Sequence, residues 1–317
     1  MNFGLPYQGS KNRIAKRLVE ALPAAPVLYD VFCGGCAVTH AAMLSGKYQH
    51  FVVNDLRGWL PDAFRKAIHG GYAHEDRWIS REDFERLKDT DAYAAMCFSF
   101  GNDTRSYMYA RGLEPYKRAL HYAIFWRDFA PWRELCPETA DALASGLAPI
   151  EDRKQRRVQA GKFIVGSLRA QITAGTLTPD ILQKTIYRQI KDTPYRLQSL
   201  QSLESLERLQ SLESLPGALT ARSGDYRELC FGEPGIIYCD PPYKDTADKS
   251  KDYADTSFDA ESFYSWCEAQ KLPVYISEYQ MPEDRFVCIA EWDKVTRMAA
   301  KTISHVTERL WRPKTQV

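Results

Sequence analysis

A strand–turn–helix–strand unit near the N-terminus constrains the fold of this chain most strongly. An amphipathic helix over Lys11–Leu22 precedes an apolar strand at Val27–Phe32, and the tight turn Cys33–Gly35 follows. A second helix over Ala37–Leu44 then leads to another strand at His50–Val53. Two strands joined through a helix pair in parallel with a right-handed crossover. The sequence therefore predicts an α/β fold built on a largely parallel sheet.

Strand-like segments return only in the last third of the chain. Residues 57–196 between them are mostly long, charged and helix-like. The simplest architecture is one sheet domain, formed by residues 1–56 and 197–317, with 57–196 as a mainly helical insert. The late strands are predicted at Leu219–Arg222, Ile236–Cys239, Val274–Ser277, Phe286–Glu291 and Thr307–Trp311.

A leucine repeat lies where the insert rejoins the sheet domain. Leucine recurs at every third residue from Leu197 to Leu215. Three residues turn an α-helix by about 300°, so these leucines would move around the helix and form no fixed apolar face. A coiled coil needs a period of 3.5, whereas a period of three suits 3₁₀ turns. We expect a structural spacer that tolerates changes in length, with a partner-binding strip as the alternative.

Composition sets the broad class of protein. With 317 residues, 44% of them hydrophobic and 26% charged, the chain can bury a substantial core. It contains no apolar run of membrane-spanning length, and its first residues lack the basic and apolar parts of a signal peptide. We therefore expect a cytoplasmic protein without a membrane partner, whose eight scattered cysteines are reduced thiols.

Basic charge is concentrated in one stretch. The formal net charge of the chain is only +1, but residues 151–196 carry ten Lys/Arg against four Asp/Glu. The densest part is Arg153-Lys154-Gln155-Arg156-Arg157. Such a cluster indicates either a solvated helix face or a surface that meets phosphates.

The glycine turn of the first unit has the composition of a cofactor-binding turn. It reads Asp30-x-Phe32-x-Gly34, and Asp55 stands 21 residues after Gly34 at the end of the next strand. Glycines between a strand and a helix let a ligand approach the backbone, and an acid at this spacing accepts hydrogen bonds from ribose hydroxyls. The pattern favours an adenosine-containing cofactor. A structural turn with a surface acid is the alternative.

The same turn contains a C-x-x-C pair, Cys33 and Cys36. A zinc or redox site needs further ligands or a suitable motif, and the sequence offers no second close cysteine or histidine pair. We therefore predict no metal. Cys36 is better explained as a replacement for a third glycine of the turn.

The tetrapeptide Asp240-Pro241-Pro242-Tyr243 follows the apolar run Gly235–Cys239 directly. Two prolines end the strand and fix the loop at the carboxyl edge of the sheet, where open α/β folds bind ligands. The Asp240 carboxylate and the Pro241 carbonyl can both accept hydrogen bonds from an exocyclic amino group, and Tyr243 can stack on a planar ring. A chance occurrence of these four residues is the alternative.

Two further segments are candidates for the same edge. Tyr7-Gln-Gly-Ser-Lys11 precedes the first helix, so Lys11 either reaches a cofactor carboxylate or belongs to a helix start capped by Ser10. Asp225, in Gly224-Asp225-Tyr226, follows a predicted strand and could accept a hydrogen bond from a cofactor's adenine amino group. A plain turn residue is the alternative for Asp225.

In this order, these segments resemble the Dam-type DNA adenine-N6 methyltransferases of the D-P-P-Y class. The resemblance implies a Rossmann-like methyltransferase sheet with an inserted, mainly helical target-recognition domain at 57–196, and S-adenosyl-methionine as the methyl donor. It implies Asp240, Pro241, Pro242 and Tyr243 as the catalytic loop. The implied cofactor-binding residues are Tyr7, Lys11, Asp30, Phe32, Gly34, Asp55 and Asp225.

The insert contains the residues expected to contact DNA. The turn-rich stretch from Phe98 to Lys117 resembles the family's DNA-reading hairpin. Within it Arg105 is expected either to pair with a guanine in the major groove or to meet a phosphate or solvent. The expected phosphate and backbone contacts are Tyr116, Lys117, Arg153, Lys154, Arg156 and Arg157.

The predicted reaction is methylation of an adenine flipped out of double-stranded DNA. Alternatives are a methyltransferase acting on cytosine N4, RNA adenine or a glutamine amide, a dinucleotide oxidoreductase, and a non-catalytic DNA-binding protein. The oxidoreductase fingerprint G-x-G-x-x-G is absent. A monomer and a restriction endonuclease partner are both compatible with the sequence, which decides neither and does not reveal the recognition site.

Overall fold

The computed structural model describes residues 2–173, 197–242, 258–298 and 302–317. The chain divides into two compact units. The sheet unit comprises Met1–Tyr72 with Ser205–Val317, and the helical unit comprises Ala73–Glu204.

Seven strands form one mixed sheet in the described part of the chain. The spatial order is β3-β2-β1-β4-β5-β7-β6; the first five strands run parallel, and β7 lies antiparallel between β5 and β6. The predicted α/β class is therefore confirmed. In chain order the strands are β1 (Val27–Asp30), β2 (His50–Asp55), β3 (Ala218–Ser223), β4 (Gly235–Cys239), β5 (Val274–Glu278), β6 (Phe286–Met298) and β7 (Thr302–Pro313).

Helices account for most of the remaining regular structure. The described helices are α1 (Ala15–Ala21), α2 (Ala37–Ser45), α3 (Trp59–Ile68), α4 (Arg81–Leu87), α5 (Ala92–Cys97), α6 (Glu114–Phe125), α7 (Ala130–Leu135), α8 (Pro137–Leu147), α9 (Arg153–Thr173), α10 (Gln198–Arg208) and α11 (Ala260–Ala269). Short 3₁₀ helices lie at Lys11–Arg13, Phe100–Asn102, Leu209–Ser214, Tyr226–Glu228 and Lys314–Gln316. Helices α4 to α9 fall in the helical unit, in which the described residues include one isolated β-bridge, between Ser99 and Tyr107. None of the described helices is long and apolar enough to cross a lipid bilayer.

The register of the central strands brings their carboxyl ends to one edge of the sheet. Asp30, the last residue of β1, lies opposite Val53 on β2 and Tyr238 on β4. Both faces of this region are covered, since β1 and β5 are buried at every residue. The loops that follow β1, β2 and β4 therefore begin side by side.

The first predicted helix is interrupted. Lys11–Arg13 forms a 3₁₀ turn, and α1 begins only after Ile14, whose φ of −118° departs from helical geometry. The Ser10 side chain makes no capping hydrogen bond, so the alternative of a helix start capped by Ser10 is not found. The break allows Lys11 to belong to a turn of its own ahead of α1.

The leucine repeat has a fixed apolar side, contrary to the prediction of a spacer without one. Leu200, Leu203 and Leu206 lie on α10, where they cover only about a third of the helix circumference. At Leu209 the backbone changes to 3₁₀ geometry, in which residues three apart align. The change of helix type keeps six leucines buried, at positions 197, 200, 203, 206, 209 and 212.

Candidate functional site

Three carboxylates converge at the carboxyl edge of the sheet, after β1, β2 and β4. Backbone hydrogen bonds hold the strand ends together: Val31 N donates to Tyr238 O at 3.0 Å, and Cys33 N donates to Asn54 O at 2.9 Å. Asp30, Asp55 and Asp240 are close enough for the last two to raise the pKa of the first. The predicted meeting of these segments at one sheet edge is thus found.

Asp30 is a buried acid with one oxygen in use. It is 1% exposed, and Thr39 Oγ1 donates a hydrogen bond of 2.6 Å to its Oδ2. Its Oδ1 receives no hydrogen bond from the described residues. Burial first, and then the charges of Asp240 and Asp55, raise the pKa of Asp30 to about 7. An orphaned buried acceptor of this kind suits a cationic ligand group, which would replace the missing solvation.

Asp55 braces the glycine turn. Its Oδ2 accepts a hydrogen bond from Gly34 N, and its Oδ1 accepts one from Arg57 N, both at 2.9 Å. Burial raises the pKa of this carboxyl despite the two N–H donors. The Asn54 amide nitrogen, buried beside it, donates to Val31 O and Gly224 O at 3.1 Å each. These bonds fix the turn against the ends of two neighbouring strands.

The glycine turn contains a left-handed cysteine. Cys36 has a φ of 55°, a conformation that favours glycine, which agrees with its interpretation as a glycine replacement. Burial raises the pKa of both the Cys33 and the Cys36 thiol, so both stay protonated at neutral pH. Among the described residues no group of three or more His, Cys, Asp or Glu could hold a metal ion.

The N-terminal segment is packed tightly against this turn. Leu5 N donates to Gly35 O at 2.7 Å, and Gly4 N donates to His40 Nδ1 at 2.9 Å. A Cβ on Gly4 would lie 2.2 Å from Gly35 O, so only glycine permits this approach. The Tyr7 ring consequently lies beside Gly34, and its hydroxyl accepts a hydrogen bond from Arg57 at 3.4 Å.

Lys11 bridges two carboxylates beneath the catalytic loop predicted from the sequence. Its Nζ lies 2.8 Å from Asp240 Oδ1 and 3.1 Å from Glu308 Oε1. Burial alone would lower the pKa of Lys11, but the two carboxylates raise it above its ordinary value, and the ammonium stays charged. No sequence motif singles out Glu308, a charged residue within the strand β7. Only a high local density of acids around Lys11, visible in three dimensions, identifies it.

The loop after β4 is described as far as Pro242. Asp240 is 20% exposed at its side chain, Pro241 is buried and Pro242 is half-buried. Tyr243, the last residue of the predicted catalytic loop, lies outside the described residues. The carboxylate is thus the accessible member of the Lys11 cluster.

Asp225 and Phe32 form a flank of the same edge. The Asp225 carboxylate accepts from Arg227 N at 2.9 Å and pairs with the Arg227 guanidinium at 2.6 and 2.8 Å. Hydrogen bonding from Arg227 holds the pKa of Asp225 below its ordinary value. The Phe32 ring contacts Tyr226 and Phe263 at centroid distances of 5.2 and 5.6 Å. Phe32 therefore contributes an apolar surface next to an ionised acid.

In the helical unit, the stretch predicted as a DNA-reading hairpin forms a tightly braced loop. Ser99 and Tyr107 make the isolated β-bridge, and Asp103 Oδ1 accepts from the backbone N–H groups of Arg105 and Ser106 at 2.9 and 3.0 Å. The side chain of Phe100, at 63% exposure, projects from this frame. The Arg105 side chain is half-buried.

The basic cluster at the start of α9 is divided between the fold and the surface. The Arg156 side chain, 6% exposed, donates to the carbonyls of Ile124, Ile150 and Glu151 at 2.5 to 2.8 Å. The structure thus assigns Arg156 to the fold, in place of the phosphate contact predicted from the sequence. Lys154, two residues earlier, is exposed.

The remaining predicted DNA contacts also differ in burial. Arg157 pairs with Glu204 at 2.9 and 3.1 Å, with only 13% of its side chain exposed. Burial lowers the pKa of Lys117 to about 8. Tyr116 packs edge-on against Trp132, and the Arg153 guanidinium lies 4.9 Å from the Phe125 ring centre. A phosphate contact by Arg157 would therefore require its side chain to leave Glu204, whereas Lys117 is half-buried.

Residues 7–122 match the family model of the D12 class N6 adenine-specific DNA methyltransferases. The resemblance to adenine-N6 methyltransferases predicted from the sequence is thereby confirmed over this segment, which is about a third of the chain. Enzymes of this class generally use S-adenosyl-methionine as the methyl donor. The matched segment contains Lys11, Asp30 and Asp55 and ends before Asp225 and Asp240.

Other comparisons add little. A search of curated proteins finds no match. Two structures of the rRNA methyltransferase aviRa from Streptomyces viridochromogenes, at 1.5 and 2.4 Å, are 10% and 12% identical to this chain. The alignments cover 95% and 94% of this chain and 82% of the other in each case, with TM-scores of 0.33 and 0.32. At TM-scores this low these likenesses carry no argument, and the α/β fold is established by the sheet itself.

Proposed function

We propose that this chain is a site-specific DNA adenine-N6 methyltransferase that uses S-adenosyl-methionine. The observation that carries the proposal is the Asp240 carboxylate, ion-paired to a buried lysine at the sheet edge that also contains the glycine turn, Asp30 and Asp55. The family match supports adenine N6 as the methylated atom.

The residues around the glycine turn fit the methyl donor. The buried Asp30 Oδ1 offers an acceptor for the ammonium of the methionine part. Asp55 keeps spare lone pairs for ribose hydroxyls, since each of its oxygens accepts one N–H in the structure. Phe32 offers an apolar surface for the adenine ring, and Asp225 an acceptor for its amino group, in competition with Arg227. When bound, the donor supplies an activated methyl group on a sulfonium.

Asp240 and the Pro241 carbonyl then orient the target amino group. Two acceptors, fixed on a rigid loop, direct the nitrogen lone pair of the flipped base, which is a positioning and electrostatic effect. The bound donor would supply the methyl group, whose bond to sulfur would break as its bond to N6 forms, and N6 would afterwards lose a proton to solvent. Tyr243 is proposed to stack on the base. No covalent intermediate with the enzyme is needed.

The insert predicted at 57–196 is proposed to read the DNA target. Its braced loop presents Arg105 and the exposed Phe100 ring, which suit a base edge and a stacking contact respectively. Lys154 and Arg153, at the start of α9, are the proposed phosphate contacts. Double-stranded DNA is accordingly the proposed partner.

A labelled methyl-transfer assay tests the function. The protein is incubated with S-adenosyl-methionine carrying a labelled methyl group and, in parallel, with duplex DNA or RNA, and the nucleosides of each digest are identified. Label in N6-methyladenine from DNA is expected, and Asp240→Ala should bind the donor but lose about 10²- to 10³-fold in transfer rate.

The other outcomes contradict the proposal in distinct ways. Label in N4-methylcytosine or in RNA adenine would replace the proposed substrate with another planar amino group. Binding of duplex DNA without any transfer would favour a non-catalytic protein. An Asp240→Ala variant as fast as the unmodified enzyme would remove the catalytic role of the loop.

A further inference from the structure

The ion cluster under Asp240 contains one member that the proposed chemistry does not use. Lys11, Asp240 and Glu308 come from three distant segments: the 3₁₀ turn before α1, the loop after β4, and the strand β7. One ammonium pairs with both carboxylates, at 2.8 and 3.1 Å. Such a cluster is costly to bury unless its geometry is well fixed.

Burial distinguishes the two acids. The Glu308 side chain is 0% exposed, while that of Asp240 is 20% exposed. Asp240 is therefore the more accessible of the two carboxylates, while the buried Glu308 contacts the same ammonium from inside the sheet. The backbone of Glu308 is held inside the sheet, because β7 pairs with β6 at Trp292 and with β5 at the adjoining Arg309–Glu278 position.

The proposed chemistry needs Asp240 to be ionised and to accept a hydrogen bond from an amino group. An ammonium favours the ionised form of a carboxylate that it contacts and holds that carboxylate in place. Lys11 Nζ contacts both Asp240, at 2.8 Å, and Glu308, at 3.1 Å, so its charge is shared between the two carboxylates. Glu308 also fixes the position of Lys11 from the side opposite to Asp240.

We propose that Glu308 is a positioning residue that anchors Lys11 and so keeps the Asp240 carboxylate oriented. This inference deepens the proposed function and rests on it where the rate of methyl transfer is concerned. The anchoring of Lys11 by Glu308 does not depend on the proposed activity and can be tested without it.

The test compares Glu308→Gln with Glu291→Gln. Glu291 is a matched control, since it lies on the neighbouring strand β6 with 65% of its side chain exposed and lies 3.5 Å from Arg309. Single-turnover methyl transfer is measured across pH, together with the affinity for S-adenosyl-methionine. We expect Glu308→Gln to lose about tenfold or more in rate, with unchanged affinity for the donor, and Glu291→Gln to stay near the unmodified rate.

The pH profile separates positioning from structural damage. With Glu308 neutral, the charge of Lys11 acts on Asp240 alone, so the acidic limb of the rate profile should move to lower pH. Simple damage would lower the rate without moving the limb. Among the described residues, the titratable groups with electrostatic influence on or from Asp240 include Asp30 on β1, Tyr238 and Cys239 on β4, and Tyr279 after β5, and these are common to all variants.

A measurement without activity makes the two proposals separable. The Lys11 ammonium is observed by NMR of lysine labelled at Cε and Nζ, assigned with Lys11→Arg. The chemical shift of this ammonium should change in Glu308→Gln and should stay the same in Glu291→Gln. An unmodified enzyme without methyl transfer would refute the proposed function, and this NMR comparison would still decide whether Glu308 anchors Lys11.

Two results would overturn the inference. One is a Glu308→Gln variant with the unmodified rate and pH profile; the other is an unchanged Lys11 signal. If Glu308→Gln does not fold, Glu308→Asp replaces it, since it keeps the charge but withdraws the carboxylate by one methylene. A folded Glu308→Asp variant with full rate and an unchanged Lys11 signal would equally overturn the inference.

Discussion

The charged residues at the strand ends of the sheet unit differ from those at the start of α9 in the helical unit. In the sheet unit, Asp30 is buried with one oxygen unused, and Asp240 remains accessible beside its lysine. In the helical unit, the Arg156 guanidinium donates hydrogen bonds to backbone carbonyls, and the Arg157 guanidinium pairs with Glu204. A buried charge with unused hydrogen-bonding capacity indicates a ligand site, whereas a buried charge with satisfied partners indicates a structural role.

The difference has a topological cause. Parallel strands end at one edge of a sheet, so residues that follow β1, β2 and β4 must lie close together whatever their type. A helix such as α9 instead distributes consecutive residues around its axis, so a run of basic residues divides between the interior and the surface. A charge count therefore predicts less in the helical unit than a strand-end motif does in the sheet unit.

The largest expected effect concerns Asp30. Its pKa is raised from the ordinary value to about 7, so between about pH 4 and pH 7 the native protein retains a proton that the unfolded chain releases. Stability should therefore fall as pH rises through this window, by on the order of 4 kcal/mol in total. Urea unfolding of the protein without cofactor, compared with Asp30→Asn across this range, measures the slope.

The Asp30→Asn variant cannot ionise and should lack this slope. Parallel stability curves for the two proteins would mean that Asp30 is already compensated by other groups. Asp30 would then not be a buried acid with unused hydrogen-bonding capacity.

The next effect concerns Arg156 in the helical unit. Arg156→Met leaves three carbonyls without their donor, and we expect a loss of about 2 to 3 kcal/mol in the free energy of unfolding. Lys154→Met, on the same helix but exposed, should change it by less than about 0.5 kcal/mol. Equal losses in the two variants, measured by urea unfolding, would contradict the structural role of Arg156.

The smallest effect concerns DNA affinity and uses Lys154 again. If Lys154 meets a phosphate, Lys154→Met should reduce the slope of log affinity against log salt concentration by about 1. Titration of labelled duplex DNA at several salt concentrations gives the slope. An unchanged slope would place Lys154 in solvent and move the proposed phosphate contacts away from the start of α9.

Local pattern was sufficient for much of the sheet unit. The predicted strands and the glycine turn were found, because alternation, apolar runs and glycine placement act within a few residues. For the leucine repeat, the sequence indicated that a period of three suits 3₁₀ turns, but not where the helix type changes. The chain changes from α to 3₁₀ geometry at Leu209, and this change keeps the leucines on one side.

Sequence alone determined the α/β class, the relation to adenine-N6 methyltransferases, and the segments that meet at the sheet edge, since strand order and strand-end motifs are encoded locally. Only the tertiary structure decided which charged groups keep unused hydrogen-bonding capacity. Glu308 beside Lys11, the orphaned oxygen of Asp30 and the satisfied guanidinium of Arg156 all depend on contacts between distant segments. Desolvation and the geometry of its partners set the role of a charged group, and neighbouring residues in the sequence determine neither of them.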